Sequence, residues 1–286
     1  RIVAAEQEDY VASVGLYPVQ PWLDVPGLGW TFYQAYWGDK PPMSTDEVSR
    51  ECWEFRSYSE GGRFITPEDL VSAACAIEGG PVAVSEFSDA TNSGSPGDST
   101  RMLGALLREP IGEGGALCFC VDPESVSRCY QVDVGAIVEL QIGGKRDPYS
   151  KPLMVQVEVQ RIGSLAYRLS GHGGHNFPVD MGRMACVRSG EVTVVLVEKS
   201  GPGSSPLLYE AAGIDPRMFK IVLAKSPEGF RNDYEPFSSG ILFCAAPGCA
   251  SPYLHQMQFT EFTHPLYPWD DLTDMQEAVW AGPMKA

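Results

Sequence analysis

The chain has 286 residues, of which 44% are hydrophobic and 20% charged, and its formal net charge is −16. This length allows one large domain or two modest ones with a sizeable core. A strongly negative protein repels phosphate backbones and anionic lipid surfaces, so we expect no nucleic-acid partner. No apolar run reaches the roughly 20 residues that span a bilayer, which predicts no membrane insertion.

Eight cysteines are spread along the chain without paired CxxC units, which argues against a structural zinc ribbon. Several lie in apolar surroundings, as is typical of reduced thiols. We therefore expect a reducing intracellular compartment, cytoplasmic or organellar. The first residues carry no signal-peptide pattern, so we do not expect secretion. The chain begins at Arg1 and not at methionine, which suggests a processed or truncated protein.

The first segment, to about Tyr58, contains one clear strand and one clear helix. The aromatic-rich stretch 30–37 predicts the strand. Ser44 and Glu47 form a capping-box pattern, which predicts a helix from there to about Phe55. One strand and one helix cannot bury both of their faces, so this segment needs a further layer.

Predicted helices and strands alternate from residue 66 to residue 142. A capping hydroxyl at Thr66, followed by proline and two acids, is typical of a helix start. The predicted elements are a helix at 66–76, a strand at 81–87, a helix at 98–108, a strand at 116–121 and a helix that starts at Asp122. This alternation predicts a βαβ layer with a parallel or mixed sheet, and hence an α/β (α+β) fold.

Beyond residue 150 the pattern changes to consecutive strands with short turns. The predicted strands lie at 155–162, 165–170, 184–187 and 192–197, which indicates an antiparallel, β-rich section or a barrel-like insertion. Shorter elements follow: a helix start at 216–219, a strand at 221–224, a helix or turn at 230–237 and a strand at 241–246. The proline- and aromatic-rich end of the chain, from Ser251, is expected to wrap over the surface.

The most distinctive segment is the small-residue loop from Asp89 to Thr100, which lies between a predicted strand and a predicted helix. Ligands of open α/β sheets bind outside the carboxyl ends of the strands, and a helix start adds free amides. Asp98, Ser99 and Thr100 could cap the helix or face a ligand. Asp89 could bind a cation or a polar group of a substrate. The alternative interpretation is a capped helix after a flexible loop.

Two other loops contain residues that could bind a ligand. The glycine pair 143–144 permits close backbone approach, and Lys145 after it could contact an anion; the alternative is a hairpin turn with solvated charges. His172 and His175 could share a metal ion, or could be exposed side chains of a mobile loop. Only Asp180 lies near as a third ligand, so the metal site is the weaker interpretation.

A lysine and an arginine follow the strand predicted at 221–224. Lys225 and Arg231 could bind a carboxylate, or could form internal ion pairs with Asp233 and Glu235, which is the simpler interpretation. The sequence contains no GxSxG elbow, no P-loop and no HExxH motif. Three common hydrolase and nucleotide-binding interpretations therefore lose support.

Several short segments, in the same order along the chain, resemble the C-terminal part of the microcystinase C (MlrC) family. These segments are 20–26, 94–100, 142–145, 213–216, 225–226 with 230–231, and 246–248. The resemblance covers nearly the whole chain. It implies that residues 1–80 are the end of the family's N-terminal, metal-binding domain, and that residues 81–286 form the C-terminal-like domain.

Members of that family are zinc-dependent peptidases, some of which cleave linear peptides derived from a cyclic cyanobacterial toxin. Their zinc ligands belong to the N-terminal domain, and the C-terminal domain helps to shape the substrate cleft. The resemblance therefore implies no catalytic residue and no cofactor in this chain, with zinc only in the family's N-terminal domain. It implies substrate binding by residues of two loops: Asp89, Gly97, Asp98, Ser99, Thr100 and Lys145.

The chain departs from the family pattern in the first of these loops. The family typically has Asp-Asn-Pro-Gly-Gly-Gly before the Pro-Gly-Asp stretch, whereas this chain has Ala90 in place of the asparagine and two glycines fewer. The lost amide is a donor and an acceptor that a polar substrate could use. We therefore expect the substrate-cleft half of a zinc-dependent peptidase, inactive alone, whose partners are the missing N-terminal half, other subunits or a peptide.

Two alternatives from other functional classes remain open at this point. The first is a non-catalytic interaction subunit, or pseudoenzyme, that has kept the scaffold and docks through exposed aromatic segments such as 30–37. The second is a small-molecule binding module that holds an anion at the helix start near Asp98.

Overall fold

The computed structural model describes residues 1–56, 64–169, 176–270 and 272. The chain divides into two compact units: a smaller unit of residues 1–62 and 253–286, and a larger unit of residues 63–252. The larger unit contains an eight-stranded mixed sheet, and the smaller unit contains a two-stranded antiparallel sheet. The predicted α/β class with a mixed sheet is therefore confirmed. None of the described helices is long and apolar enough to cross a bilayer.

Ten strands and seven α-helices occur in the described ranges. The strands are β1 (Val11–Tyr17), β2 (Thr31–Tyr36), β3 (Val82–Glu86), β4 (Ala116–Val121), β5 (Ile137–Ile142), β6 (Leu153–Leu169), β7 (Phe177–Ser189), β8 (Val192–Val197), β9 (Ile221–Ala224) and β10 (Gly240–Cys244). The helices are α1 (Ile2–Ala5), α2 (Thr45–Phe55), α3 (Leu70–Cys75), α4 (Arg101–Arg108), α5 (Pro123–Cys129), α6 (Leu207–Ala211) and α7 (Arg231–Tyr234).

The larger sheet has a parallel part and an antiparallel part. Its strand order is β10-β3-β9-β4-β8-β7-β6-β5. The pairs from β10 to β8 are parallel, and the pairs from β8 to β5 are antiparallel. The antiparallel section predicted after residue 150 is thus a continuation of the parallel sheet.

Both faces of the parallel part are covered, which explains why its strands are apolar along their length. Every residue of β3, β4 and β9 is buried. Alternate residues of these strands belong to two core clusters, one containing Met102 of α4 and Val126 of α5, the other Leu208 of α6 and Tyr234 of α7. Helices on both faces are typical of parallel sheets. The carboxyl ends of β3, β4, β9 and β10 consequently meet at one edge, which we call the carboxyl edge.

The prediction of two separate strands, at 155–162 and 165–170, is wrong. The described residues form one long strand, β6, which pairs with β7 through two register shifts, at Val159/Arg161 and at Ser164/Ala166. Gly163 and Ser164 are typical of a turn in sequence. In the structure the strand continues through them, because the irregular pairing of a β-bulge absorbs the change in register.

Helix α4 begins at Arg101, and the predicted start at Asp98 is wrong. The carbonyl oxygen of Asp98 accepts the amide of Gly144 at 2.7 Å, which holds residue 98 in the loop before the helix. The start of α5 is confirmed, since the carboxylate of Asp122 accepts the amide of Ser125 at 3.1 Å. Of the two helix starts predicted at aspartates, the one at Asp122 is therefore confirmed and the one at Asp98 is wrong.

The smaller unit supplies the further layer that its strand and helix need. Strand β1, which the sequence pattern did not reveal, pairs antiparallel with β2. Their core contains Val11, Val14, Met43 and Val48. The capping box of α2 is half confirmed: Ser44 accepts the amide of Glu47, but the Glu47 carboxylate pairs with Arg1.

The C-terminal segment belongs to the smaller unit. The carboxylate of Asp24 accepts the amides of Thr260 at 2.7 Å, Glu261 at 2.7 Å and Phe262 at 3.1 Å. These three hydrogen bonds anchor the segment after residue 253 to the first part of the chain. The domain boundary at residue 80, which came from the family resemblance, stays a prediction.

Candidate functional site

A buried ion triad lies at the carboxyl edge, where β3 and β9 end. The ammonium nitrogen of Lys225 is 2.6 Å from Oε2 of Glu86 and 2.8 Å from Oδ2 of Asp89. The side chains are 1–3% exposed. Two carboxylates and one ammonium in a dry interior leave an excess negative charge, which is unfavourable unless a proton neutralises it.

Burial and the charges within the triad together set its protonation. Burial raises the pKa of Glu86 to about 7, although the Lys225 ammonium opposes the shift. Burial alone would lower the pKa of Lys225, but the carboxylates of Asp89 and Glu86 raise it above its usual range, so the lysine stays charged. Near neutral pH the triad therefore exchanges one proton at Glu86.

Asp89 organises the loop that follows β3. Its Oδ1 accepts the amide of Gly97 at 2.9 Å, and its Oδ2 accepts the amide of Ser99 at 2.8 Å. With Lys225 these contacts use both oxygens of the carboxylate. Asp89 was predicted to bind a cation or a substrate group; the structure places it inside the protein, where it fixes the loop at the carboxyl edge.

Asp98 lies in the same loop and joins it to the loop after β5. Its Oδ2 accepts the amides of Lys145 at 2.7 Å and Arg146 at 3.0 Å. Its Oδ1 has no hydrogen-bond partner among the described residues, although the residue is fully buried. Burial raises the pKa of Asp98, against the hydrogen bond from the Lys145 amide. Oδ2 therefore joins the two loops, whereas Oδ1 has no hydrogen-bond partner among the described residues.

Lys145 is bound to Asp122, and its side chain is only 20% exposed. Its ammonium nitrogen is 2.7 Å and 2.9 Å from the two oxygens of that carboxylate. Asp122 also accepts the amide of Gly143 at 2.8 Å. Burial would raise the pKa of Asp122, but the hydrogen bonds from Lys145 and Gly143 hold it below its usual range. The ammonium predicted to contact an anion is therefore held by the protein's own carboxylate.

Ser99 and Thr100 have different roles at the start of α4. The hydroxyl of Ser99 accepts the amide of Arg101 at 3.3 Å, which forms a serine turn just before α4, whose N-cap is Thr100. The hydroxyl of Thr100 donates to the carbonyl oxygen of Lys151 at 2.7 Å and so contacts the other loop. The six predicted site residues are brought together at the carboxyl edge, in two networks centred on Asp89 and Asp98.

Sequence reasoning missed Glu86 and Asp122 as members of this site. Both are acids at the carboxyl end of an apolar strand, which is the signal that could have found them. The expected pairing of Lys225 with Asp233 and Glu235 is wrong, because its partners are acids at the end of β3 and in the following loop. It is Arg231 that pairs with Glu235, at 2.6 Å.

The described residues do not fit a zinc ion. Zinc needs three or four nitrogen, sulfur or oxygen ligands in tetrahedral arrangement. No group of three or more histidine, cysteine, aspartate or glutamate side chains in the described ranges could hold a metal ion. At the carboxyl edge, the acids Asp89 and Asp122 are bound by lysines and amides instead. His172 and His175, the weak metal candidates, lie outside the described residues.

A glycine is required at position 97 because the backbone there has a positive φ and because neighbouring side chains leave no room for a Cβ atom. Gly97 has φ +81°, and a Cβ atom there would lie 2.5 Å from Cγ2 of Thr91 and 2.8 Å from Cγ2 of Val121. Gly135 has a similar φ of +90° but open space around it. We expect Gly135→Ala to lose about 1 kcal/mol of stability from backbone strain. Gly97→Ala should lose about 1–3 kcal/mol more from overpacking.

Urea denaturation of the two glycine variants measures the difference. Gly135→Ala serves as the control for the positive φ. Equal losses of unfolding free energy in Gly97→Ala and Gly135→Ala would contradict the close packing of the loop against β4.

The mixed sheet, with acids and lysines at the carboxyl ends of its parallel strands, is that of an α/β protein, a class whose ligands generally bind outside the carboxyl ends of the strands. The sequence model described as MlrC C-terminus matches residues 84–261. The chain therefore belongs to the MlrC family. The matched region begins within β3 and includes both loops of the carboxyl edge.

Comparison with solved structures shows the same fold in a bacterial protein. The chain is similar to a crystal structure of a candidate metallopeptidase from Mesorhizobium sp. BNC1, with a TM-score of 0.83 and 22% sequence identity. The similarity covers 95% of this chain and 55% of that one, so this chain spans about half the length of the neighbour. A comparison with curated proteins finds no match.

Proposed function

We propose that this chain forms the substrate-binding wall of an MlrC-type peptidase, with the metal supplied by residues other than those described. The observation that carries the proposal is the rigid loop after β3. Asp89 fixes two of its amides, at Gly97 and Ser99, and is itself held by buried Lys225. A wall that orients a peptide needs such pre-organised backbone.

The residues of the carboxyl edge are suited to holding a peptide in place. The loops after β3 and β5 are tied together by Asp98, whose Oδ2 accepts two amides of the second loop. Thr100 adds a third link through Lys151. Three hydrogen bonds therefore link the two loops, which favours one orientation of a substrate lying against them. Zinc, where the family binds it, supplies a polarised water for hydrolysis.

A binding and hydrolysis experiment tests the proposal on the 286-residue chain. A linear hexapeptide is titrated by calorimetry, its hydrolysis is followed with and without added zinc, and bound zinc is measured by elemental mass spectrometry. We expect peptide binding without hydrolysis and without stoichiometric zinc. Stoichiometric zinc with turnover would show that the chain has its own metal site. Failure to bind any peptide would contradict the role as a substrate wall.

A second function, as a non-catalytic interaction subunit, is favoured by the surface of the smaller unit. Ten of the sixteen exposed large hydrophobic side chains in the described ranges lie in this unit. They are Val3, Tyr10, Tyr17, Leu23, Val25, Trp30, Tyr33, Trp37, Phe55 and Tyr253. Aromatic side chains are enriched in protein interfaces. Native mass spectrometry tests this function, and a stable monomer that associates with nothing would contradict it.

A further inference from the structure

The ammonium group of Lys225 is shared by two buried carboxylates. Its nitrogen lies 2.6 Å from Oε2 of Glu86 and 2.8 Å from Oδ2 of Asp89. The other lysine that pairs with a buried acid at the carboxyl edge, Lys145, contacts a single buried carboxylate, that of Asp122. The first network therefore contains a negative charge that its ammonium does not balance, whereas the second has one ammonium for one buried carboxylate.

The hydrogen bonds of the two carboxylates decide which of them takes up a proton. Both oxygens of Asp89 accept hydrogen bonds, from the amides of Gly97 at 2.9 Å and Ser99 at 2.8 Å and from Lys225. Oε1 of Glu86 has no partner among the described residues. Because hydrogen bonds to a carboxylate stabilise its charged form, Glu86 and not Asp89 takes the proton. The pKa of Glu86, which burial raises to about 7, agrees with this assignment.

The other titratable groups that interact with Glu86 in the described part of the chain keep their charge state near neutral pH. They include the thiols of Cys118 on β4 and Cys244 on β10 and the phenol of Tyr209 on α6. Burial raises the pKa of each of these three groups further above neutrality, so all three stay uncharged. Burial would lower the pKa of Lys225, but the two carboxylates of the triad raise it, so the ammonium stays charged. The charge of the triad therefore changes at Glu86.

We propose that Glu86 is a proton switch for the loop after β3. While Glu86 is protonated, the ammonium of Lys225 is left to Asp89, which holds the amides of Gly97 and Ser99. When the proton is lost, two negative carboxylates share one ammonium in a dry interior and repel each other. The hold of Asp89 on the two amides then weakens, and the loop becomes more mobile as the pH rises through neutrality. This regulation is a property of the chain alone and does not depend on peptide binding.

Amide hydrogen exchange of the 286-residue chain, followed by NMR at pH 6 and pH 8, tests the switch. Dividing the exchange rate of an unstructured peptide by the observed rate at each pH gives a protection factor free of the direct effect of pH. We expect the protection of the Gly97 and Ser99 amides to be about tenfold lower at pH 8. The Ser125 amide, which the Asp122 carboxylate accepts at 3.1 Å, should keep its protection. Unchanged protection at Gly97 and Ser99 would overturn the proposal. An equal loss at Ser125 would also overturn it, because the whole unit would then be opening.

A variant pair separates Glu86 from the other acids of the protein. Glutamine does not titrate and keeps an oxygen for Lys225, so Glu86→Gln should give the Gly97 and Ser99 amides the same protection at pH 6 and pH 8. Glu228→Gln, at a side chain that is 68% exposed, should show the same fall as the unaltered chain. A fall in Glu86→Gln as large as in the unaltered chain would overturn the proposal, since another acid would then be responsible. If Glu86→Gln does not fold, the exchange of the unaltered chain decides alone.

Discussion

Replacing Lys225 with methionine is expected to destabilise the protein by about 3–5 kcal/mol, the cost of leaving a buried charge without its partner. The change leaves Glu86 and Asp89 facing each other without the ammonium that now lies 2.6 Å and 2.8 Å from them. Since a whole domain is stable by only about 5–15 kcal/mol, this single substitution should remove a large part of the margin. Urea denaturation followed by circular dichroism measures the change in unfolding free energy.

The matched control for this variant is Lys199→Met. Lys199 pairs with Asp180 at 3.2 Å, but the two side chains are 58% and 68% exposed. Exposed ion pairs contribute about 0–1 kcal/mol, so the control should stay close to the unaltered protein. Similar losses in the two variants would mean that Lys225 is not the buried partner of two carboxylates.

Replacing Glu86 with glutamine is expected to change how stability depends on pH. The pKa of Glu86 is raised from 4.5 to about 7 in the folded protein, mainly by burial. Between these two values the folded state binds more protons at this site than the unfolded state does. This contribution to stability is therefore complete below pH 4.5, falls as pH rises, and is lost above about pH 7. Glutamine resembles the protonated glutamate and does not titrate, so the stability of Glu86→Gln should not show this decline between pH 4.5 and about pH 7.

The expected size of the effect follows from the pKa difference. Each pKa unit corresponds to about 1.4 kcal/mol, so Glu86→Gln should be more stable than the unaltered protein by about 3 kcal/mol at pH 8. At pH 4.5 the two proteins should have similar unfolding free energies. Urea denaturation at several pH values between 4.5 and 8 gives the comparison. Glu228→Gln, at an exposed glutamate, is the control and should follow the unaltered protein.

A gain from Glu86→Gln that is the same at every pH would contradict this account. It would mean that the glutamine improves packing or hydrogen bonding, and that no proton is exchanged at the triad near neutral pH. A loss at every pH would mean that Lys225 needs both negative charges to remain buried.

Much of the fold could be predicted from local sequence patterns. Strand β4 occupies the predicted residues 116–121, and the helix after it starts at the capping acid Asp122, as expected. Both signals are local: an apolar run that fits a covered strand, and an acid with proline at a helix start. Strand β1 was missed, since its partly exposed residues give no regular alternation.

The roles of the site residues could not be predicted in the same way. Asp98 has the sequence pattern of a helix cap, but its carboxylate is used by the amides of Lys145 and Arg146, nearly fifty residues further along the chain. Lys225 lies close to acids in sequence, yet its partners are 139 and 136 residues away. Only the strand order brings these groups together, and a single sequence does not reveal that order.

The hydrogen bonds of Asp24 to residues 260–262 have a consequence for synthesis on the ribosome. The smaller unit is built from the first 62 residues and from residues after 252. A chain emerges from its N-terminus, and domains generally fold as units while it grows. The first part of the smaller unit is therefore made before the three amides that Asp24 accepts in the finished protein, and the whole larger unit is made in between. During that interval Trp53 of α2 lacks Tyr267, against whose ring it packs edge to face, and a stop codon shortly after residue 252 would leave it without this partner permanently.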